Sequence, residues 1–479
     1  MQVFAASFSW GDDPLARALA PPPNESDEER TARMNVEIEA KRISDKIDEE
    51  LQRQEKVKKK EPRPVKILLL GQSESGKSTT LKNFQLMNSP KAFRSERASW
   101  RAVIHLNVVR SIRLILDAMT EAQADPEGSS SGYPRLTTEH LMLKMQLSPL
   151  VQVEEALARK LVPSGTAAFD AARFSQDDKV YYTNSVRSRE VAVNSQFAWK
   201  GIFSRFVAST RQSFESDASG LGWENMDDTG RVICACREDM IRLWNDATIQ
   251  ALLHAQHLKL EDMPGFFLDS LDRVASPKYV PTDDDILRAR LKTLGVTEYR
   301  FMIKDKTLTA ALREWRIYDV GGHRSSVRAA WAPFFDDMDA ILFLAPISAF
   351  NQTLEEDPNV NRLEDSILLW KSIIANPLLA ETSIVLFLNK VDIFKAKLEA
   401  GVKLSRYIVS YGNRPNDYES TSNYLRRKFG QVLRDHSPQP RYFYFHFTTV
   451  TDTKTTSTIL RDVQDTVVLK SLQKSNLIE

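Results

Sequence analysis

At 479 residues the chain is longer than a single hydrophobic core usually organises, so two domains and a tail are expected. Its 65 basic and 64 acidic residues nearly cancel to a formal net charge of +1, which removes a global electrostatic basis for nucleic-acid binding. The two cysteines, Cys234 and Cys236, are too few and too close for a disulfide framework or a four-ligand zinc site. A reducing compartment is therefore expected, and any charged function must be local.

Membrane-directed features are missing from the sequence. No apolar run approaches the roughly 20 residues that cross a bilayer, and the N-terminal residues lack the pattern of a secretory signal. Position 2 is Gln2, which excludes N-myristoylation, and no cysteine lies near either end for lipid attachment. We expect a soluble, cytoplasmic protein whose peripheral membrane contact comes only through partners.

The N-terminal part divides into a predicted disordered tail, residues 1–24, and one amphipathic helix, residues 25–62. Charged residues dominate the helix, and a narrow apolar stripe recurs at helical spacing. The stripe consists of Met34, Ile38, Ile43, Ile47 and Leu51. Two interpretations are open: a solvated charged arm, and a helix that docks on another protein.

Short β-rich apolar runs then predict buried strands at residues 65–70, 341–344, 384–388 and 442–445. Helical patterns separate these runs. Strands that alternate with helices predict an α/β fold with a doubly wound, mostly parallel sheet.

The middle of the chain has a different pattern, because its apolar residues follow helical spacing and no convincing buried strand appears. Val103, Val108, Ile112 and Leu116 show that spacing. Polar segments at residues 128–132 and 213–222 are predicted to be loops or disordered insertions. We therefore predict an all-helical domain, residues 96–280, inserted into an α/β domain formed by residues 63–95 and 281–479.

Residues 71–78 (GQSESGKS) match the phosphate-loop pattern and stand where it must stand, after a strand and before a helix. Glycines there allow backbone N–H groups to converge on phosphate oxygens at a helix N-terminus. Lys77 is expected to reach the terminal phosphates, and the Ser78 hydroxyl to ligate Mg²⁺. The motif predicts binding of a nucleoside triphosphate.

Residues 319–322 (DVGG) follow an apolar run at 315–318 and complete the phosphate end of the predicted site. Asp319 at a strand end can hold Mg²⁺ through water, and Gly322 can present its N–H to a γ-phosphate. Such a tetrapeptide alone is a common turn, but it is specific when paired with the phosphate loop.

Residues 389–392 (NKVD) follow another strand and predict the choice of base. The Asp392 carboxylate can accept from guanine N1–H and from the exocyclic amine, a donor pair that adenine does not offer. Residues 448–451 follow the last strand, and the Val450 N–H can donate to the guanine carbonyl. A phosphate-loop kinase or ATPase is the alternative that this motif disfavours.

Three further segments, 73–79 (SESGKST), 267–273 (FLDSLDR) and 285–293 (DILRARLKT), give the sequence a close resemblance to the heterotrimeric G-protein α subunits. The resemblance extends from about residue 25 to the C-terminus, except for parts of the helical insertion. It implies a Ras-like phosphate-loop GTPase domain, an inserted all-α domain and Mg²⁺ with GTP or GDP as bound nucleotide. It also implies a G-protein βγ dimer, a G-protein-coupled receptor and an effector as partners, at the inner face of the plasma membrane.

The resemblance also implies catalytic roles. Arg290 corresponds to the built-in arginine that stabilises transition-state charge, beside Lys77, while His323 occupies the position that handles the attacking water. Glu74 is expected to hold Arg290 by an ion pair, although a surface position for Arg288 and Arg290 is the plainer alternative. The implied metal ligands are Ser78, Thr293 and Asp319. The implied nucleotide contacts are Glu74, Ser75, Gly76, Lys77, Ser78, Thr79, Asp269, Ser270, Leu287, Arg288, Arg290, Thr293, Gly322, Asn389, Lys390, Asp392 and Val450.

The chain departs from the family pattern in switch II, where His323 stands in place of a glutamine. A neutral imidazole also has one donor and one acceptor, but at fixed ring angles, so slow hydrolysis is expected. A nucleotide-gated binding module that hardly hydrolyses GTP is the alternative, and positioning of the water by another group is a third interpretation. The helical insertion is also longer than in the family pattern. Two interpretations of the extra residues are open: an unstructured elaboration, and an element that docks a partner.

Overall fold

The computed structural model describes residues 26–60, 63–124, 133–161, 192–194, 228–263, 265–294, 296–304, 312–321, 338–354, 357–441, 443–449 and 451–474. The chain divides into two compact units, Met1–Arg63 and Pro64–Glu479.

The described part of the first unit is one helix, α1 (Asp27–Lys60), which confirms the predicted N-terminal helix. Ser26 and Glu29 cap its start, since the Glu29 carboxylate accepts from the Ser26 N–H at 3.0 Å and the Ser26 hydroxyl accepts from the Glu29 N–H at 3.3 Å. The apolar stripe named above is 49–62% exposed along its length. The helix therefore forms by local capping and charge pairing, and no other described residue of its unit covers the apolar stripe.

The strands of the second unit are β1 (Val65–Gly71), β2 (Ala192–Asn194), β3 (Lys292–Leu294), β4 (Val296–Lys304), β5 (Leu312–Val320), β6 (Ala340–Pro346), β7 (Ser383–Asn389) and β8 (Tyr444–Thr448). Six of them form one sheet in the order β4-β5-β1-β6-β7-β8. Only the β4–β5 pair is antiparallel. The predicted doubly wound, mostly parallel sheet is confirmed.

The helices described in this unit are α2 (Lys77–Asn88), α3 (Pro90–Ser95), α4 (Arg97–Ala124), α5 (Thr138–Gln146), α6 (Leu150–Leu161), α7 (Asp228–Ala235), α8 (Arg237–Asn245), α9 (Ala247–Ala255), α10 (Leu271–Val274), α11 (Asp283–Arg288), α12 (Arg362–Ile374), α13 (Val391–Glu399), α14 (Tyr418–His436) and α15 (Thr453–Lys474). Among these described helices, none is long and apolar enough to cross a membrane.

Three strands differ from the sequence prediction. The short strand β2 lies in the stretch predicted to be purely helical and pairs with β3. The edge strand β4 was not predicted, although Tyr299, Phe301 and Ile303, which pack on the core, alternate with the exposed residues Glu298, Arg300 and Met302 at the period of a half-buried strand. The last strand begins at Tyr444 rather than at residue 442, which lies outside the described residues.

Strand β1 shows how the sheet is buried on both faces. Ile67 and Leu69 belong to a cluster that includes Leu460 of α15, whereas Leu68 and Leu70 belong to a cluster that includes Trp370 of α12. All four β1 side chains are fully buried. Because alternate residues face opposite sides of a strand, Ile67 and Leu69 pack against one helix layer, and Leu68 and Leu70 pack against the other. Burial of each side chain contributes about 1.5–3 kcal/mol.

A third apolar cluster joins α4 to the helices around it. Val103, Val108 and Ile112 are fully buried there with Met240 and Leu252. The helical spacing predicted for α4 is thus confirmed, and this part of the chain has a core separate from the two clusters of the sheet.

Candidate nucleotide-binding site

The phosphate loop connects the end of β1 to the start of α2 by a tightly turned backbone. Gly71 has φ 144°, and a Cβ there would lie 2.4 Å from the Leu344 carbonyl oxygen of β6. Gly76 has φ 104°, and Glu74, without the freedom of glycine, has φ 60°. A non-glycine residue in this left-handed region costs about 1–3 kcal/mol and persists only where its surroundings fix it.

Lys77 and Ser78 begin α2 and point in the directions that the motif requires. The buried Lys77 ammonium donates to the carbonyl oxygens of Gly71 at 2.8 Å and Gln72 at 2.6 Å. The Ser78 hydroxyl donates to Asp319 Oδ2 at 2.8 Å. Register between β1 and β5 pairs Leu69 with Asp319, which brings that carboxylate beside the loop.

The Ser78 and Asp319 oxygens fit a small divalent cation. Asp319 Oδ1 is buried and has no hydrogen-bond partner within the described part of the chain. Burial raises the pKa of Asp319, against the charge of Lys77 and the hydrogen bond from Ser78. Mg²⁺ is commonly held by one or two carboxylates together with substrate phosphates. The described residues contain no group of three or more His, Cys, Asp or Glu that could hold a metal ion.

The NKVD segment follows β7 on the other side of the loop. The Asn389 amide donates to the Ser75 carbonyl at 2.7 Å and accepts from the Thr448 hydroxyl at 3.1 Å, so it ties the loop to the ends of β7 and β8. Lys390 has φ 62°. Burial and the nearby charges of Arg362 and Arg290 together lower its pKa to about 7.

Arg290 lies opposite the loop, and its Nη1 forms the predicted ion pair with Glu74 Oε1. The other oxygen of Glu74 accepts from Arg362 at 3.0 Å, and Arg362 also donates to the Ser73 carbonyl at 2.9 Å. Sequence reasoning missed Arg362, which carries no local motif beyond its place after Asn361, the N-cap of α12. One carboxylate thus joins two arginines from distant parts of the chain.

The segment before Arg290 is held by a buried lysine. Lys82 of α2 donates to the carbonyls of Ile286 at 2.9 Å and Ala289 at 2.7 Å. Its ammonium also lies 4.3 Å from the ring centroid of Trp100. Burial lowers the pKa of Lys82 to about 7, against the raising effect of Asp319.

Asp285 of α11 organises the start of the same segment. Its carboxylate accepts from both Nη atoms of Arg273 at 2.6 and 2.7 Å and from the Tyr279 hydroxyl at 2.9 Å. Burial alone would raise the pKa of Asp285, but the hydrogen bonds from Arg273, Thr282 and Tyr279 outweigh it and lower the pKa to about 2.

The phosphate loop, the NKVD segment, Asp319 and Arg290 line one cavity of about 370 Å³. Most predicted contact residues line it. They are Glu74, Ser75, Gly76, Lys77, Ser78, Thr79, Leu287, Arg288, Arg290, Asp319, Asn389, Lys390 and Asp392. The volume lies in the usual range for small-molecule sites.

A few predicted residues are placed elsewhere. Asp269 and Ser270 are not part of the cavity lining, and Asp269 Oδ1 accepts from the Trp244 indole N–H at 2.8 Å. Gly322, His323 and Val450 lie outside the described residues, as does the side chain of Thr293, whose backbone belongs to β3. The loops predicted at residues 128–132 and 213–222 also lie outside them.

A family model for the G-protein alpha subunit matches residues 41–467. The chain belongs to the G-protein α-subunit family. Among its relatives, the guanine nucleotide-binding protein alpha-4 subunit of Mycosarcoma maydis is 32% identical, with 97% of this chain and 96% of that protein covered. The alpha-1 subunit of the same organism is 30% identical, with 92% and 98% covered. The alpha-1 subunit of Saccharomyces cerevisiae is 27% identical, with 92% and 96% covered.

Membership of the G-protein α-subunit family accounts for the fold. The mostly parallel six-stranded sheet with helices on both faces is the Ras-like GTPase architecture, and the family also implies a helical insert, in agreement with the run of helices from α4 to α10. The relatives are named guanine nucleotide-binding proteins.

Proposed function

We propose that this α-subunit family member is a Mg²⁺-dependent switch that binds GTP or GDP in the cavity and hydrolyses GTP slowly. The observation that carries the proposal is the order of groups along one cavity. Asp319 and Gly321 lie at the end of β5, residues 73–79 follow β1, and Asp392 and Thr449 follow β7 and β8. The sheet order β5-β1-β6-β7-β8 therefore places these groups one after another along one edge of the sheet, and all of them line the cavity. Base, phosphates and metal of a guanine nucleotide require that order.

In this proposal the loop and NKVD segment provide binding. Backbone N–H groups of the loop and the N-terminus of α2 bind phosphate oxygens, with Lys77 at the terminal phosphates. Asp392 accepts the two guanine donors, Lys390 adds positive charge, and the Val450 N–H donates to the guanine carbonyl. Leu287 and Arg288, which line the cavity, complete the proposed contacts.

Ser78, Asp319 and Thr293 would hold Mg²⁺. When bound, the ion neutralises charge that develops on the β- and γ-phosphates. The support in this chain is the buried, unpartnered Asp319 Oδ1 beside the Ser78 hydroxyl.

Hydrolysis is proposed as in-line attack of water on the γ-phosphorus, with the bond to the bridging oxygen breaking to give GDP and phosphate. Arg290, held by Glu74, stabilises the charge that spreads over the phosphate oxygens. His323 is proposed to orient the water less well than a glutamine amide would. Catalysis then depends mainly on Arg290 and Lys77.

The proposed switch uses the γ-phosphate to recruit Thr293 and Gly322, which orders the switch segments and changes partner affinity. In this proposal a βγ dimer binds the GDP state, a membrane receptor promotes the exchange of GDP for GTP, and an effector binds the GTP state. Residues 96–280 are proposed to form a helical domain that covers the nucleotide, which is supported by the separate apolar cluster around α4.

Guanine selectivity is tested by nucleotide binding to the purified full chain with Mg²⁺. We expect retention of GDP and GTP but not ATP. In Asp392→Asn the amide should donate to the carbonyl of xanthine in place of the guanine amine, so preference should move to xanthosine nucleotides. Asp435→Asn, on an exposed part of α14, is the matched control. Failure of the wild-type protein to retain any guanine nucleotide would refute the proposal.

A non-hydrolysing, nucleotide-gated binding module is the second candidate, and the observation that favours it is His323 at the position of the family's glutamine. Single-turnover phosphate release compares wild type with His323→Gln, and Arg290→Cys gives the background. We expect wild type above the background and His323→Gln about 10-fold faster, a gain smaller than the roughly 10²–10⁴-fold of a well-placed general base because the imidazole retains part of the effect. Wild-type release at the background level would favour the module.

A further inference from the structure

The backbone of Arg290 is held by an asparagine that does not line the cavity. Asn107 of α4 donates from Nδ2 to the Arg290 carbonyl at 2.9 Å, and its Oδ1 accepts the Arg290 N–H at 2.8 Å. Asn107 is only 7% exposed. One amide therefore satisfies both backbone polar groups of the residue proposed to stabilise the transition state.

This pair of bonds restricts Arg290 more than a single contact would. A planar amide that bonds both the N–H and the C=O of one residue fixes that residue's position and the direction of its side chain relative to α4. The guanidinium end is held separately by Glu74. Arg290 is thus held at two points, its backbone from the helical core and its tip from the phosphate loop.

The surroundings of the amide leave it little freedom. Gly265 has φ 81°. A Cβ on that glycine would lie 2.8 Å from Asn107 Oδ1 and 3.0 Å from the Arg290 Cβ. Glycine is therefore required where the chain passes over the Asn107–Arg290 pair, and a methyl group there would press on both partners.

We propose that Asn107 is a positioning residue for Arg290 and that it sets the rate of GTP hydrolysis through this backbone contact without touching the nucleotide. The inference rests on the proposed GTPase function. Misplacing a catalytic group by about 1 Å can cost about 100-fold in rate. Loss of one of the two points that hold Arg290 is expected to cost about 10-fold.

The first test is amide hydrogen exchange of the nucleotide-free full chain, read on peptides that contain Arg290. Asn107→Ala should speed exchange there, because the Arg290 N–H loses its acceptor. Asn416→Ala is the matched control, since Asn416 makes the same pair of bonds to a remote loop, accepting from the Leu404 N–H at 2.9 Å and donating to the Val402 carbonyl at 3.0 Å. Unchanged exchange around Arg290 in Asn107→Ala would overturn the inference.

The second test is a double-mutant cycle on single-turnover GTP hydrolysis. Asn107→Ala should slow hydrolysis about 10-fold in the wild-type background and by less than twofold in an Arg290→Ala background, while GDP affinity changes by less than threefold. Gly265→Ala should produce the same pattern by displacing the pair, and Asn416→Ala should leave the rate unchanged. An equal loss in both backgrounds would show general destabilisation and would overturn the inference.

The two tests separate this inference from the proposed function. If the wild type hydrolyses GTP and Asn107→Ala does so equally fast, the inference fails and the GTPase function stands. If the wild type binds GTP without hydrolysing it, the proposed reaction and the catalytic role of Asn107 fail together, while the exchange result still decides whether Asn107 holds Arg290.

Discussion

The phosphate loop and the segment that carries Arg290 line the same cavity but are built in different ways. The loop consists of consecutive residues between β1 and α2, and Lys77 bonds to carbonyls only six and five residues away. Arg290 is held by Glu74 and Asn107, which lie 216 and 183 residues from it in the sequence. The proposed nucleotide binding therefore depends on a local motif, whereas the proposed catalytic geometry depends on the packing of distant elements.

The largest expected effect separates catalysis from binding. Arg290→Ala should lower the single-turnover rate of GTP hydrolysis by about 10³-fold, the contribution typical of such an arginine, with a much smaller change in GDP affinity. Phosphate release and equilibrium binding measure the two quantities. Arg300→Ala, on the exposed face of β4, should change neither. An affinity loss as large as the rate loss would remove the distinction between the two regions.

Lys77→Ala should have its main effect on nucleotide affinity. Loss of charge-assisted hydrogen bonds to the terminal phosphates should weaken GTP binding by about 100-fold, which corresponds to roughly 3 kcal/mol. Fluorescent-nucleotide titration gives the dissociation constant. Retained affinity would mean that the loop does not bind phosphates through this lysine.

The Arg290 segment can also be tested through its stability. Asp285→Asn should lower the free energy of unfolding by about 2 kcal/mol at pH 7, because the pKa of Asp285 is about 2 in the folded protein against a usual value of 3.8. A lowered folded-state pKa adds stability above pH 4 that is lost as pH falls toward 2. Denaturant unfolding at pH 7 and at acid pH should show the difference shrinking at acid pH. The neighbouring exposed Asp284→Asn should cost under about 0.5 kcal/mol.

A pH effect of comparable size concerns Lys82. Its folded-state pKa of about 7 lies below the usual 10.5, so the unfolded chain binds more protons between these values. The free energy of unfolding of the nucleotide-free protein should therefore gain a contribution as pH rises from 7 toward 9. In Lys82→Met this contribution should disappear, whereas the exposed Lys91→Met should retain it. If the free energy of unfolding depended on pH equally in wild type and in Lys82→Met, the lowered pKa of Lys82 would be contradicted.

The sequence by itself determined where the proposed nucleotide-binding motifs lie in the fold. Each motif is short, follows a recognisable strand, and owes its chemistry to neighbouring residues, so the phosphate loop, Asp319 and Asp392 could be placed at strand ends without coordinates. The mostly parallel sheet followed from the alternation of apolar strands with helices.

Only the tertiary structure decided how Arg290 and the segment before it are held in place. Arg362 on Glu74, Lys82 under the Arg290 segment and Asn107 on the Arg290 backbone have no motif, because each acts on a residue nearly 200 or more positions away. The edge strand β4 was missed although its alternation was visible, since a half-buried strand gives a weaker signal than a fully buried one. Local patterns specify groups that work with their neighbours in sequence, while packing alone brings together groups that work across the fold.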